Sequence, residues 1–364
     1  MHVKNKCANL TRKLQGQTKM KQFNLGGNVK LTVKENVLAI SSNEGLTAVS
    51  SAIFNGGFKK IKAVLNVGVP EGYNDRSLHI DPLELITSSA AKLDLTKDYL
   101  AMVTAAKIKN YSLVIKKAGD FSVSVAATAG CSHGESSGEA MDVEETPGTI
   151  NVIVFIDGDP TDSCIIASLI TATEAKSAAL RDFDVRSFYT GDSATGSITD
   201  SVTIATNSKG KAIVYGGPAS KLGQTVGYCT RKAVTEALIK QEPIWACRTV
   251  VDRLKERHLP LEKLATEVSK VEGLTIDSKA LTQILKDKPI AALYLLAAAK
   301  LDDDLKKKLV PEGLENIRDL SIDFGSLAFS KVNISKMQGY GKVDLPLFIK
   351  HAIINIAREA FSKK

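Results

Sequence analysis

No stretch of this chain is apolar for long enough to cross a bilayer. The longest nearly uncharged run, Ile290–Ala299, falls well short of the ~20 residues that a spanning helix needs. The first residues are basic but lack an apolar core, so no secretory signal is expected. Cysteine is sparse: Cys7, Cys131, Cys164, Cys229 and Cys247 are scattered, odd in number and form no CxxC pair. That pattern points to a reducing cytoplasm and away from a structural zinc site. The five histidines (His2, His79, His133, His258 and His351) are too dispersed to suggest a metal centre. There is no GxxxxGK[ST] loop, and no GxSxG, HExxH or GxGxxG in a strand–helix context. The usual signatures of nucleotide, dinucleotide, zinc-peptidase and serine-hydrolase chemistry are therefore missing.

Acidic residues are absent from positions 1–34, which carry eight of the 48 lysines and arginines. Beyond them, basic and acidic residues balance, so the formal charge of +8 belongs to a short leader. That leader has no interleaved aromatics and reads as a solvated tail, with no nucleic-acid partner expected.

What remains is an ordinary folded composition, 44% apolar and 24% charged, over 364 residues. This is enough for two domains or for one with a large appendage. Short Val-rich segments separated by turn residues predict strands at 30–33, 37–41, 61–69, 101–108, 112–116 and 121–128. Asp81–Pro82 predicts the start of a helix over 83–93, with Asp81 as its N-cap. Gly130–Gly148, rich in Gly, Ser and acids, is expected to be a long mobile loop. The uniformly apolar Ile150–Ile156 predicts a buried central strand. Ile165, Leu169, Ala172, Ala179 and Phe183 define one face of a helix over 161–183, broken only by Lys176. Strands follow at 200–206 and 211–215, then a helix over 220–241 stopped by Pro243. From Ile244 onward, short amphipathic stripes such as Leu264/Val268/Val271 and Ile349/Ile353/Ile356 predict helices without a fixed repeat.

The expected fold is therefore α+β: mixed or antiparallel sheet layers with two long helices, followed by a mostly helical C-terminal extension. The expected domains are a basic flexible leader over 1–22, an α+β domain over 23–243 and a helical extension over 244–364.

The segment Gly191–Asp200 concentrates hydroxyl and carboxylate side chains just before a strand. Gly196 allows close backbone approach to a ligand, and the N–H groups beside it suit an amide carbonyl or oxyanion. Asp192 and Asp200 lie near for a hydroxyl nucleophile, although a plain Ser/Thr turn explains the same residues. Glu174, on the edge of its helix face, is a candidate base if half-buried and an ordinary exposed Glu otherwise. Cys131 and His133 have the types of a nucleophile and base, but no cationic neighbour is assured, so Cys131 reads as inert. Asn66, and His79 with Asp81, are candidates for binding polar ligand groups. Gly223 and Gly227, one turn apart, permit close helix packing.

Taken together and in order, Thr128-Ala129-Gly130, Gly148-Thr149-Ile150-Asn151, Thr173–Leu180, Ala194-Thr195-Gly196, Thr199-Asp200 and Ser220–Gly223 resemble the adenosylcobinamide amidohydrolases. The upstream Asn66 and Asp81–Pro82 are similar too, and the resemblance covers about residues 25–242. It implies hydrolysis of the amide joining aminopropanol to the corrin ring, yielding adenosylcobyric acid for cobalamin salvage in the cytoplasm. On this resemblance the catalytic candidates are Glu174, Thr195 and Asp200. Thr195 and Gly196 would polarise the carbonyl, with Glu174 or Asp200 as base. The substrate-binding candidates are Asn66, Asp81, Thr128, Gly130, Ser132, Asn151, Gly196 and Thr199, with Asn66 and Thr128 holding peripheral corrin amides. The corrinoid is substrate rather than cofactor, and no metal ligands are assigned. The extension 244–364 is a candidate homo-oligomerisation module, docking surface or second corrinoid-handling element. Two other readings stay open: a non-catalytic corrinoid-binding or scaffold protein, and a hydrolase of another amide with a Thr or Ser nucleophile.

Overall fold

The computed structural model describes residues 20–70, 81–139, 148–309, 321 and 334–361. The expected leader lies outside the described residues up to position 19, and so does His79. The fold is α+β, with a large mixed sheet and a helical C-terminal region. The chain divides into two compact units between Cys247 and Arg248, with Thr190–Asp192 counted in the second.

In chain order, the first unit contains β1 (Lys21–Gly26), β2 (Val29–Lys34), β3 (Val37–Ser50), β4 (Gly57–Gly68), α1 (Leu83–Ala91) and β5 (Tyr99–Thr104). There follow β6 (Ser112–Ala118), β7 (Phe121–Gly130), β8 (Gly134–Glu135), β9 (Thr149–Asp157), β10 (Asp159–Pro160) and α2 (Asp162–Asp182). The unit continues through β11 (Gly196–Ser197), β12 (Ser201–Thr206), β13 (Ala212–Ile213) and α3 (Lys221–Gln241). The second unit holds α4 (Val250–Lys255), α5 (Leu261–Val268), α6 (Ser278–Asp287), α7 (Pro289–Lys306) and α8 (Leu347–Phe361).

Nine strands form one sheet, with β6, β7, β9, β12 and β3 side by side. Within this sheet β9–β12 and β4–β5 are the parallel pairs, each joined by a crossover that carries a helix, α2 or α1. Strand β3 is the pivot of the sheet. Its first half pairs with β2 and β4; after a register slip between Ser41 and Leu46, its second half pairs with β4 and β12. The sheet thereby folds back on itself and makes two cores. Val123 and Val125 of β7, Val152 and Val154 of β9 and Val202 and Ile204 of β12 pack under α2 and α3. The alternate residues Ala126, Ile153, Phe155 and Ala205 face the other way, against Leu38 and Ile40 of β3 and Leu100 and Met102 of β5. Strand β9 is thus covered on both faces, as its uninterrupted apolar sequence requires.

Several expectations shift. Strand β1 has no counterpart among the expected strands; it joins β2 through Gly27-Asn28, both with positive φ, in the two-residue turn suited to a hairpin. The strand expected over 101–108 is β5, ending at Thr104, and the helix expected to 93 ends at Ala91. Pro82, not Asp81, occupies the N-cap; Asp81 accepts the N–H of Leu83 at 2.9 Å from one position upstream. Of the loop expected over Gly130–Gly148, residues 140–147 lie outside the described residues, and Gly134–Glu135 pair with β11. Cys131, Cys164 and Cys229 are free and buried, whereas Cys247 is disulfide-bonded, which departs from thiols throughout.

In the second unit the expected stripes Leu264/Val268/Val271, Leu281/Leu285 and Ile349/Ile353/Ile356 form the core, whereas Leu309 is exposed.

Candidate active site

Lys176 interrupts the buried face of α2, and a buried ammonium is costly without a counter-charge. Asp200, immediately ahead of β12, supplies one: the two side chains are 8% and 11% exposed and in direct ion-pair contact. The carboxylate is then saturated. Oδ1 accepts the Ile150 N–H at 2.9 Å and the Ser197 hydroxyl at 2.5 Å, while Oδ2 accepts the Ser197 N–H at 3.1 Å as well as Lys176. Gly196 runs against this pair so closely that a Cβ there would lie 2.5 Å from Asp200 Oδ2 and 2.9 Å from Lys176 Nζ. Only glycine fits.

The pair clamps together the starts of β9 and β12, and the surrounding motif residues collect on it. Gly196 and Ser197 of β11 pair with Glu135 and Gly134 of β8. Thr195 donates its N–H to the Glu135 carbonyl at 2.8 Å, and its Oγ1 accepts the Ser137 N–H at 2.9 Å. Its own carbonyl accepts the Ser177 hydroxyl at 2.8 Å. Thr199 is exposed; its hydroxyl donates to the Gly148 carbonyl at 3.0 Å and lies 2.8 Å from Thr149 Oγ1. Gly130 closes β7 opposite Thr149. Next to it, Cys131 donates its N–H to Glu242 at 3.2 Å, and that carboxylate also takes the Trp245 indole N–H at 2.5 Å. Ser132 is exposed.

Folding of the sheet on itself brings Asn66, Thr128 and Asn151 together although they lie on three strands, β4, β7 and β9. Asn66 Nδ2 donates to Thr128 Oγ1 at 2.8 Å. Asn151 Nδ2 donates to Asn66 Oδ1 and to the Val103 carbonyl, each at 2.9 Å. All three are buried, and the remaining acceptor, Asn151 Oδ1, has no partner. Their amide and hydroxyl groups are engaged with one another rather than turned outward to hold corrin amides, which corrects the direct contact expected of Asn66 and Thr128.

Two further expectations are corrected. Glu174 is exposed rather than half-buried, on the wall of a groove of about 1010 Å³ between α2 and α3, with Thr195, Arg181, Arg231 and Lys232 among its other lining residues. The N–H groups of Thr195 and Ser197 are both consumed by internal hydrogen bonds, so neither serves as a carbonyl-polarising donor. Among the described residues no hydrogen bond joins Asp81 to these groups, and Gly191 and Asp192 pack with the second unit. Gly191 lies against the Arg257 backbone, and Asp192 pairs with Lys306 at 3.4 Å.

Three titratable groups stand out here: Glu135, to which sequence assigns no role, and His133 and Cys131, which have the types of a base and a nucleophile. Glu135 Oε1 and His133 Nδ1 are buried atoms without a hydrogen-bond partner among the described residues. Burial, then the nearby Glu139 and Asp200 carboxylates, push the Glu135 carboxyl above its ordinary pKa. Burial likewise pushes the Cys131 thiol far up, so it stays protonated and inert as expected. Gly134–Gly138 spells GxSxG, but it runs from β8 into a turn at Ser137–Gly138 rather than a helix, so Ser136 is not held on a nucleophile elbow. Among the described residues no cluster of His, Cys, Asp and Glu is arranged to hold a metal ion. Gly223 packs so tightly on the Gly216–Gly217 turn that a Cβ would fall 1.8 Å from the Gly217 carbonyl oxygen, so its role is packing.

The fold and its polar sheet end define an α+β protein with a pre-built hydrogen-bonded site, in which most of the sequence motifs converge although they are spread over the first unit; Ser220–Gly223 lies apart, at the start of α3. The family model of the adenosylcobinamide amidohydrolases matches residues 22–245, and the chain belongs to that family. It is 29% identical over 213 residues to the adenosylcobinamide amidohydrolase of Methanosarcina mazei, covering 57% of this chain and 92% of that protein. The corresponding enzyme of Halobacterium salinarum is 26% identical over 192 residues, covering 51% and 77%. An uncharacterized protein of Methanocaldococcus jannaschii is 27% identical over 209 residues, covering 52% and 81%. No described helix is long and apolar enough to cross a membrane.

Proposed function

We propose that this chain hydrolyses the amide joining aminopropanol to the corrin ring of adenosylcobinamide, releasing adenosylcobyric acid and aminopropanol in cytoplasmic corrinoid salvage. Family membership and the names of two relatives support the reaction class. The observation that carries the reading is the gathering of most of the family motifs around the Lys176–Asp200 clamp, beside titratable atoms without hydrogen-bond partners among the described residues; Ser220–Gly223 packs elsewhere, on the Gly216–Gly217 turn. In this reading Asp200, Gly196 and Thr195 shape the site, Asn66, Thr128 and Asn151 fix the strand ends behind it, and the groove bearing Glu174 receives the polar fringe of the corrin.

The test is incubation of the purified protein with adenosylcobinamide, with and without a chelator, followed by mass spectrometry. Adenosylcobyric acid is the expected product, and chelator sensitivity decides whether a metal takes part. Tight binding without product would replace hydrolysis with corrinoid binding. No binding would overturn the assignment to corrinoids altogether.

A further inference from the structure

Five carboxylates stand at or near the clamp, and four of them are occupied or open to solvent. Asp200 holds four donors. Glu242 holds the Cys131 N–H and the Trp245 indole. Glu139 accepts the Ser187 hydroxyl at 2.7 Å and the Ser136 N–H at 3.3 Å. Glu174 is exposed on the groove wall. Glu135 differs from all four: Oε1 is buried and unpartnered, while the residue as a whole is only partly buried and so within reach of a ligand.

Its backbone is fixed on both sides. It pairs with Gly196 across β8–β11, its carbonyl accepts the Thr195 N–H, and the neighbouring Gly134 carbonyl accepts the Phe188 N–H at 2.8 Å. Two residues earlier, His133 presents a second buried unpartnered atom, Nδ1, with its ring 4.7 Å from that of Phe188. Leaving two buried polar atoms unsatisfied costs stability, and the polar groups of an amide substrate are of the kind that would satisfy such atoms.

We infer that Glu135 moves the proton in the amide hydrolysis, an assignment that rests on the hydrolase reading above. Its carboxylate takes a proton from water as the water oxygen bonds to the amide carbon. The same proton passes to the amide nitrogen as the C–N bond breaks, and the amine leaves with the carboxylate regenerated. No other reactant is required.

The charged groups around Glu135 favour a carboxyl that titrates high. Glu139 lies on its own segment and Asp200 comes from the start of β12. Two cations of the neighbouring segments are committed elsewhere: Lys176 of α2 to Asp200, and Arg186, whose backbone passes Gly134, to Asp184. His133 is the remaining titratable neighbour in sequence. Proton transfer by a positioned side chain contributes on the order of 10²–10⁴-fold.

The experiment compares wild type, E135Q and E135D on adenosylcobinamide, with kcat/KM measured across pH, corrinoid affinity by titration and folding by thermal melting. For wild type, kcat/KM should rise with pH through an apparent pKa above the ordinary carboxylate range. E135Q should lose at least about a hundredfold in turnover, with affinity and melting retained. E135D should keep the rising limb at a lower rate. Equal turnover and an unchanged limb in E135Q would overturn the role of Glu135 alone. A poorly folded E135Q leaves E135D to decide, and loss of the limb there would also overturn the role. Absence of turnover in the wild type would instead sink the hydrolase reading, and this role with it.

Discussion

Lys176 and Asp200, 24 residues apart, meet as a buried ion pair in which the carboxylate also holds two backbone N–H groups and a hydroxyl. Removing one partner of such a pair strands the other charge. K176M is therefore expected to destabilise by about 3–5 kcal/mol, with D200N failing through the loss of its acceptor oxygen. The double variant K176M/D200N should recover part of the loss. Urea unfolding of the three variants measures this, and additive losses would contradict the pairing.

Gly196→Ala tests the close approach over that pair. The methyl group would meet Asp200 Oδ2 at 2.5 Å, and four donors prevent the carboxylate from yielding freely. The expected cost is about 1–3 kcal/mol, with a parallel fall in corrinoid turnover. A variant that melts like the wild type would show that the β11 segment shifts without penalty.

Glu174→Gln separates groove from chemistry. An exposed side chain changes stability by at most ~0.5 kcal/mol, so the variant should fold normally. Its effect should fall on KM and leave kcat within a few-fold. A hundredfold loss in kcat would restore Glu174 as a catalytic residue.

Asp302 of α7 sets a pH dependence in the second unit. Its carboxylate accepts the N–H groups of Phe348 and Ile349 at 2.9 and 2.8 Å, at the first turn of α8. Burial nevertheless outweighs these bonds, and with Asp303 nearby the carboxyl is pushed up to about 6. The unfolded chain loses this proton near the ordinary value of about 4, whereas the folded chain keeps it longer. This contribution to stability is therefore fully present below about pH 4 and lost as pH rises through 6, by about 3 kcal/mol. Subtracting the D302N unfolding curve from the wild-type curve over pH 4–8 isolates this contribution. A flat difference would refute it.

Cys131 provides a check on burial. Its thiol is expected to resist iodoacetamide at pH 8 in the folded protein and to react after denaturation, as mass mapping would show.

Much of this molecule was legible in one dimension. Strand β9 announces itself by an uninterrupted apolar run, because a strand covered on both faces has no polar side to show. The faces of α2 and α3 follow from helical spacing, since burial against a flat sheet selects every third or fourth residue. The site was less so. Lys176, read as a flaw in an apolar face, was the strongest signal passed over: a lysine at a buried helix position demands a carboxylate from elsewhere in the chain. Glu135 carried no comparable signal, being one of several acids in a Gly/Ser-rich stretch.

The local alternation of apolar and polar residues, with its turn and cap residues, therefore determined the elements, their order and the family to which the motifs belong. Periodicity acts within a few residues, and motif order survives any arrangement in space. The register slip in β3 was decided only by tertiary structure, and with it the folding of the sheet that sets Asn66 against Thr128 and Asn151. The same holds for which carboxylates were spent on donors and which was left without one. Hydrogen-bond saturation is a property of contacts between segments far apart in sequence, and it sets Asp200, the clamp, apart from Glu135, whose Oε1 has no partner among the described residues.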